Sequence, residues 1–137
     1  MQTVEWIQAN CPSGRDLPET IRQYVQAVHA QGGLEYVLLG GDVEIVPTRF
    51  AQSTYYPPGG ATMIPTDLYY ACLDGDWDGN GNGVFAEPYV NIIRPGDEAD
   101  LEAELAVGRA PVRDAAEAAV FVDKVRGYLE PEGETFW

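Results

Sequence analysis

Two short apolar runs, each leading into a glycine, constrain the fold more than any other feature of this sequence. The first is Tyr36-Val37-Leu38-Leu39, which Gly40-Gly41-Asp42 ends, and the second spans Glu104 to Arg109 (ELAVGR). Continuous apolar runs of this length predict strands that are buried on both faces, as in a parallel sheet. The chain is therefore expected to fold around a small core sheet.

Two amphipathic segments supply the helices that such a sheet needs. Asp16 with Glu19, and Asp114 with Glu117, have the spacing of a capping box, and Gly32 with its neighbouring glycine ends the first helix. Apolar residues then recur at helical spacing on one face of each segment. These residues are Ile21, Tyr24, Val25 and Val28 in the first helix, and Ala118, Phe121, Val122, Val125 and Tyr128 in the second.

Residues 67–72 (DLYYAC) are also expected to be extended. With this segment included, the order of elements along the chain is helix–strand–strand–loop–strand–helix. That order predicts an α/β fold, a layered sandwich with a small, largely parallel sheet flanked by helices. A length of 137 residues suits one domain, so 1–137 is interpreted as a single α/β subdomain. Residues 130–137 are predicted to be a linker, and the aromatic pair Phe136-Trp137 indicates that the natural chain continues.

The net charge of the chain limits the classes of partner that it can bind. The formal net charge is −14 and the pI is about 4.1, so phosphate backbones and anionic membranes are repelled, and cations or basic segments are favoured. We therefore expect neither nucleic acid nor membrane as a partner. The two cysteines, Cys11 and Cys72, allow one disulfide but do not require it. No apolar run reaches membrane-spanning length, and the first residues lack the pattern of a signal peptide.

One motif carries chemistry. Residues 76–87 (DWDGNGNGVFAE) fit the calcium-loop pattern D-x-[DN]-x-[DN]-G-x5-E at every fixed position. Calcium takes six to eight oxygen ligands, which alternate residues of such a loop point inward, and Gly81 permits the sharp turn. The predicted Ca²⁺ ligands are Asp76, Asp78, Asn80, Asn82 through its carbonyl, Val84 through water, and Glu87 with two oxygens.

The surroundings of this loop favour calcium over the alternatives. No Lys or Arg lies between Arg49 and Arg94, so the loop carboxylates would repel each other without a cation. A solvated Asx-turn loop is the structural alternative, and magnesium is disfavoured because it seldom uses an all-protein cage. A helical EF-hand is rejected, because the preceding segment is expected to be extended and Pro88 follows the loop directly.

Other candidate groups have simpler structural explanations. Asp42 and Asp67 follow apolar segments, as the acids of a small hydrolase would, but Asp42 is better explained as a cap of the next turn. Cys11 or Cys72 with His29 could pair as nucleophile and base. His29 is interpreted instead as a histidine at a helix end, and Cys72 as a small core residue.

Six ordered segments together resemble the gingipain-type cysteine peptidases. They are DLPETIRQYV (16–25), YVLLGGDVEIVP (36–47), IPTDLYYACL (64–73), the acidic loop 74–87, LAVGRAPVR (105–113) and EAAVFVDKVRGY (117–128). The resemblance implies the first, non-catalytic subdomain of a secreted, caspase-like peptidase, several relatives of which bind calcium. The catalytic His and Cys of that family belong to a second subdomain that this sequence does not contain, so the resemblance assigns no catalytic residue here.

The resemblance therefore implies a supporting subdomain that packs beside a catalytic subdomain, while the parent protein acts on protein substrates. Two other hypotheses remain open: a free-standing calcium-binding module, including one from a pseudo-peptidase, and a small enzyme using Asp42 and Asp67. A reading frame that continues into a His-Gly segment and then a Cys segment would favour the peptidase.

Overall fold

The computed structural model describes residues 1–53, 62–88, 92 and 96–129. Within them the chain is a mixed α/β unit with a small sheet of parallel strands, as predicted. The predicted linker at 130–137 lies outside the described residues. The elements in chain order are α1 (Val4–Asn10), α2 (Leu17–His29), β1 (Tyr36–Gly40), β2 (Arg49–Ser53), β3 (Thr62–Thr66), a 3-10 turn (Leu68–Tyr70), β4 (Ala106–Ala110) and α3 (Ala115–Leu129).

The capping signals of the sequence are confirmed. The Asp16 carboxylate accepts the Glu19 N–H at 3.0 Å, and the Asp114 carboxylate accepts the Glu117 N–H at 2.9 Å. In both helices the carboxylate of the glutamate accepts the backbone N–H of the residue that precedes the capping aspartate. Glu19, for example, accepts the N–H of Arg15. Helix α2 ends at His29, and the glycines that follow adopt positive φ angles, as its stop signal predicts.

The two predicted strands form one parallel pair. β1 aligns with β4 so that Tyr36 lies opposite Ala106 and Gly40 opposite Ala110. The prediction that β1 is buried on both faces is wrong within this chain. Leu39 is 5% exposed and packs in the core, but Tyr36 is 75% and Leu38 67% exposed. One face of the parallel sheet is therefore covered and the other is open.

Helix α3 has no buried residue in its described length. Val122, Val125 and Tyr128 belong to its predicted apolar face, and all three are exposed. The predicted helix is therefore confirmed. The described part of the chain, however, has no surface that packs against its apolar face.

The segment between β3 and the acidic loop is helical, so the prediction of an extended 67–72 stretch is wrong. Thr66 caps the 3-10 turn through its hydroxyl, and the Cys72 N–H bonds to the Leu68 carbonyl at 2.9 Å. Residues 68–73 (LYYACL) contain no charged or strongly polar side chain, so the sequence has no periodicity there that distinguishes a turn from a strand. The antiparallel hairpin of β2 and β3 was not predicted either.

The 3-10 turn supplies the centre of the core. Tyr69 is 2% exposed and meets the rings of Tyr70, Trp77 and Phe85 edge-on, with centroid distances of 5.6, 5.3 and 6.2 Å. The Arg49 guanidinium lies 4.5 Å from the Tyr69 ring centroid and 3.8 Å from that of Phe85. A buried cation therefore sits between two aromatic rings, where their faces stabilise it.

Candidate metal centre

Both ends of the acidic loop are anchored in the core. Trp77 is 3% and Phe85 8% exposed, and the Ala86 N–H donates to the Trp77 carbonyl at 2.7 Å. Phe85 also forms a parallel bridge with Ala51 of β2, while Asp76 bridges Glu98 on the other side. The aromatic residues at positions 77 and 85 thus hold the loop against the protein, and its polar tip faces solvent.

The tip of the loop closes on Glu87. The side-chain amides of Asn80 and Asn82 both donate to Glu87 Oε2, at 2.7 and 2.5 Å. Gly81 has φ 71°, which confirms the sharp turn predicted there. The Val84 N–H donates to Asn82 Oδ1 at 2.7 Å. Asn80 and Asn82 therefore contact the Glu87 carboxylate through their amide N–H groups and not through the oxygens that are predicted to bind calcium.

The two aspartates at the start of the loop have other hydrogen-bond and ion-pair partners. Asp76 Oδ1 accepts the Asp78 N–H at 3.1 Å, and Asp78 forms an ion pair with Arg15. The Asp78 side chain is fully buried, and both its oxygens lie 3.2 Å from the Gly83 nitrogen. Arg15 is distant in sequence and reaches the loop from the start of α2, so the absence of basic residues within the loop did not reveal this partner.

Asp97 was missed by the sequence pattern, although it lies beside the last loop residue. Its Oδ2 accepts the Glu87 N–H at 2.9 Å, and its own N–H donates to the Glu87 carbonyl at 2.8 Å. Burial raises the pKa of Asp97, the Glu87 N–H opposes this, and the carboxylates of Glu87 and Asp78 raise the pKa further. Asp97 follows the loop by ten residues, where the loop pattern has no position.

A second acidic cluster can hold a metal ion. Carboxylate oxygens of Asp74, Asp100 and Glu104 lie within 4.8 Å of one another, the only such set among the residues that the structure describes. Gly75 makes the approach possible, because a Cβ at that position would lie 2.3 Å from the Asp100 nitrogen. Asp74 belongs to the acidic loop of the sequence, but the loop pattern gives no signal for its two partners, Asp100 and Glu104, which lie outside it.

The acids of the rival enzyme hypothesis are engaged in ion pairs. Both oxygens of Asp67 accept from Arg109, at 2.7 and 2.6 Å, and these bonds lower the pKa of Asp67. A hydrogen bond from Arg113 likewise lowers the pKa of Asp42. Asp42 Oδ1 also accepts the Glu44 N–H at 2.9 Å, which confirms its predicted role as a turn cap.

The environment of Cys72 does not suit a nucleophile. Both cysteines are free thiols, and Cys72 is fully buried, as its interpretation as a core residue requires. Burial raises the pKa of Cys72 to about 11, and the nearby Glu104 and Asp100 carboxylates add to that effect. At neutral pH the side chain is therefore a protonated thiol, which is a weak nucleophile.

These observations define a small acidic α/β domain whose charged loops are held against an aromatic core. The family model described as peptidase family C25 matches residues 1–137, the whole chain, and the chain therefore belongs to that family. The predicted resemblance to gingipain-type cysteine peptidases is confirmed. Searches among the curated proteins and the solved structures give no significant match. No helix in the described part of the chain has the length and apolarity needed to cross a membrane.

Proposed function

We propose that this chain is the supporting front subdomain of a secreted C25 cysteine peptidase, and that it binds a structural calcium ion without being catalytic itself. The open face of the parallel sheet carries the proposal. Parallel sheets are normally covered on both faces, yet Tyr36 and Leu38 are exposed on β1. A catalytic subdomain of the parent chain, packed beside this unit, would cover that face.

Two further observations support this role. Helix α3 presents exposed apolar residues although its spacing predicts a buried face, so it too is suited to contact a partner. Cys72 is buried with a raised pKa, so its thiol is poorly suited to carry peptidase chemistry. The family's activity on protein substrates would then require the His and Cys segments of the catalytic subdomain.

The uncovered face should make the isolated chain associate with itself. We expect oligomers in sedimentation equilibrium at about 0.1 mM, because the exposed apolar side chains of β1 and α3 favour association. Leu38→Asp should shift the chain toward monomer with little change in stability, since Leu38 is 67% exposed.

The matched control is Ile92→Asp, which adds the same charge at an 89% exposed residue outside β1, β4 and α3. This variant should associate like the wild type. A wild-type chain that remains a monodisperse monomer would favour a free-standing module over a supporting subdomain.

Calcium binding at residues 76–87 is the second part of the proposal. Three observations support it. The sequence matches the calcium-loop motif, both ends of the loop are anchored in the core, and the side chains of Asn80 and Asn82 contact that of Glu87. In the structure the side-chain amides of Asn80 and Asn82 donate to the Glu87 carboxylate. On binding, the amides can rotate so that Asn80 offers oxygen to the ion, while Arg15 keeps part of the Asp78 charge neutralised.

Millimolar calcium should raise the melting temperature by several degrees, with less effect from magnesium. A ligand in hundredfold excess over its Kd stabilises the folded state by about 2.7 kcal/mol, and each kcal/mol shifts the melting temperature by about 2–8 °C at this size. Glu87→Gln should remove most of that rise, because it takes away a charge and the bidentate contact. The measurement is a thermal melt in chelator and in calcium.

Two variants identify where the ion binds. Asp42→Asn should keep the full calcium-dependent rise, because Asp42 lies outside both acidic groups. If Glu104→Gln abolishes the rise and Glu87→Gln does not, the ion occupies the cluster of Asp74, Asp100 and Glu104. Identical wild-type melts in chelator and calcium would refute the calcium proposal altogether.

A further inference from the structure

Arg15 links the acidic loop to the start of helix α2 by contacting two carboxylates at once. Its guanidinium forms an ion pair with Asp78, the third residue of the calcium-loop motif. Its Nε–H donates to Glu19 Oε2 at 3.0 Å, and its backbone N–H donates to the same oxygen at 2.7 Å. The guanidinium also lies 5.3 Å from the ring centroid of Phe85, which anchors the far end of the loop. The fold therefore places a positive charge beside the loop.

The buried Asp78 carboxylate depends on Arg15 for a counter-ion. The Asp78 side chain is fully buried, whereas that of Arg15 is 45% exposed, and no other cation pairs with Asp78 among the residues that the structure describes. The Gly83 nitrogen adds a polar contact at 3.2 Å from each oxygen, but it carries no charge. A buried carboxylate is costly without an opposite charge, so Arg15 stabilises Asp78 in this position.

A calcium ion at residues 76–87 would need the same carboxylate. An ion bound to Asp78 comes close to the guanidinium, because both contact one small group, and two positive charges at that separation repel each other. Salt in the solvent screens a buried pair poorly, so the repulsion persists at physiological ionic strength. The free energy that calcium gains from Asp78 is therefore reduced by the contact that Arg15 already makes.

We propose that Arg15 is a built-in competitor of calcium and sets the affinity of the loop for the ion. The inference rests on the calcium site proposed above and concerns the regulation of that site. Glu19 offers the guanidinium a second carboxylate, so Arg15 keeps a partner when calcium weakens its contact with Asp78. The effect must be reciprocal, because calcium weakens the Arg15–Asp78 contact by the same factor by which Arg15 weakens calcium binding.

The test is a calorimetric titration of the whole chain with calcium chloride, for the wild type and for Arg15→Gln. The variant should bind calcium about tenfold more tightly, a factor within the usual range for coupled sites. The direction of the change separates the alternatives, because loss of a residue that only shapes the loop would weaken calcium binding. Arg15→Lys keeps the positive charge, so its Kd should lie closer to that of the wild type than to that of Arg15→Gln.

Arg126→Gln is the matched control. It removes the same charge from an exposed position in α3, outside both the loop and α2. Its Kd for calcium should change by less than about twofold, because exposed charges away from a site are screened by salt. This variant therefore measures how much of the effect comes from net charge alone.

Thermal melts give the reciprocal measurement. In chelator Arg15→Gln should melt below the wild type, because Asp78 loses its counter-ion, and in millimolar calcium this difference should shrink or change sign. Calcium binding by the wild type without tighter binding by Arg15→Gln, equal tightening by Arg126→Gln, or an Arg15→Gln chain that is unfolded in both solutions would overturn the role of Arg15 alone. Binding by neither protein would refute the calcium proposal and this inference with it.

Discussion

Asp16→Ala is expected to lower the free energy of unfolding by about 3–5 kcal/mol. Arg49 is 6% exposed, and its main partner is the Asp16 carboxylate, which accepts two hydrogen bonds at 2.7 and 2.8 Å. The substitution leaves the buried guanidinium without an anionic partner, with only the Tyr69 hydroxyl at 3.3 Å and the rings of Tyr69 and Phe85 beside it. It also removes the N-cap of α2. Urea denaturation followed by circular dichroism measures the loss.

One further variant distinguishes the loss of the Asp16 charge from the loss of the α2 N-cap, and another serves as a surface control. Asp16→Asn keeps an oxygen for the Glu19 N–H but loses the charge, so it should cost less than Asp16→Ala. Asp123→Ala on the exposed surface of α3 should stay within about 0.5 kcal/mol of the wild type. A loss at Asp16 no larger than at Asp123 would show that Arg49 does not depend on this carboxylate.

Asp67→Ala is expected to cost about 2–3 kcal/mol, the second-largest loss, because it breaks another partly buried ion pair. Arg109 and Asp67 have side chains that are 13% and 24% exposed, and they share two hydrogen bonds. The loss is smaller than at Asp16 because Arg109 keeps the carbonyls of Gly41 and Val46 as acceptors, at 2.9 and 2.7 Å. The same urea titration gives the value.

This pair should also make stability depend on pH. The pKa of Asp67 is lowered by Arg109 in the folded protein, against about 3.9 in an unfolded chain. Its contribution is therefore complete above about pH 4 and is lost as the pH falls through the lower, folded value. Asp67→Asn should show less acid destabilisation than the wild type below about pH 4. Equal acid profiles would contradict this assignment, and Asp42→Asn, at the exposed Arg113 pair, should change stability less.

Local signals predicted much of the fold. The capping pairs at Asp16 and Asp114 and the strands β1 and β4 are where the sequence placed them, because each depends on residues a few positions apart. The 3-10 turn at Leu68–Tyr70 was misread because an unbroken apolar run has no period. The β2–β3 hairpin was also missed, since its second strand carries Pro65 and is largely exposed.

The candidate site likewise combines features that depend on neighbouring residues with contacts between residues that are far apart in the sequence. The loop pattern and the turn at Gly81 were visible in twelve consecutive residues. The pairing of Arg15 with Asp78 joins residues 63 positions apart, and no local pattern encodes it. The same holds for three carboxylates from a separate segment of the chain, those of Asp97, Asp100 and Glu104. Only the folded chain brings them close to the acidic loop at 74–87.

The contacts of Arg109 have a consequence for the order of folding. Its guanidinium joins Gly41, Val46 and Asp67, which lie 68, 63 and 42 residues away along the chain. Contacts of such long range require the ends of large loops to meet, so they close late, after the local helices have formed. Interactions that are absent from the transition state mainly slow unfolding. We therefore expect substitution of Arg109 to shorten the lifetime of the native state more than it slows folding.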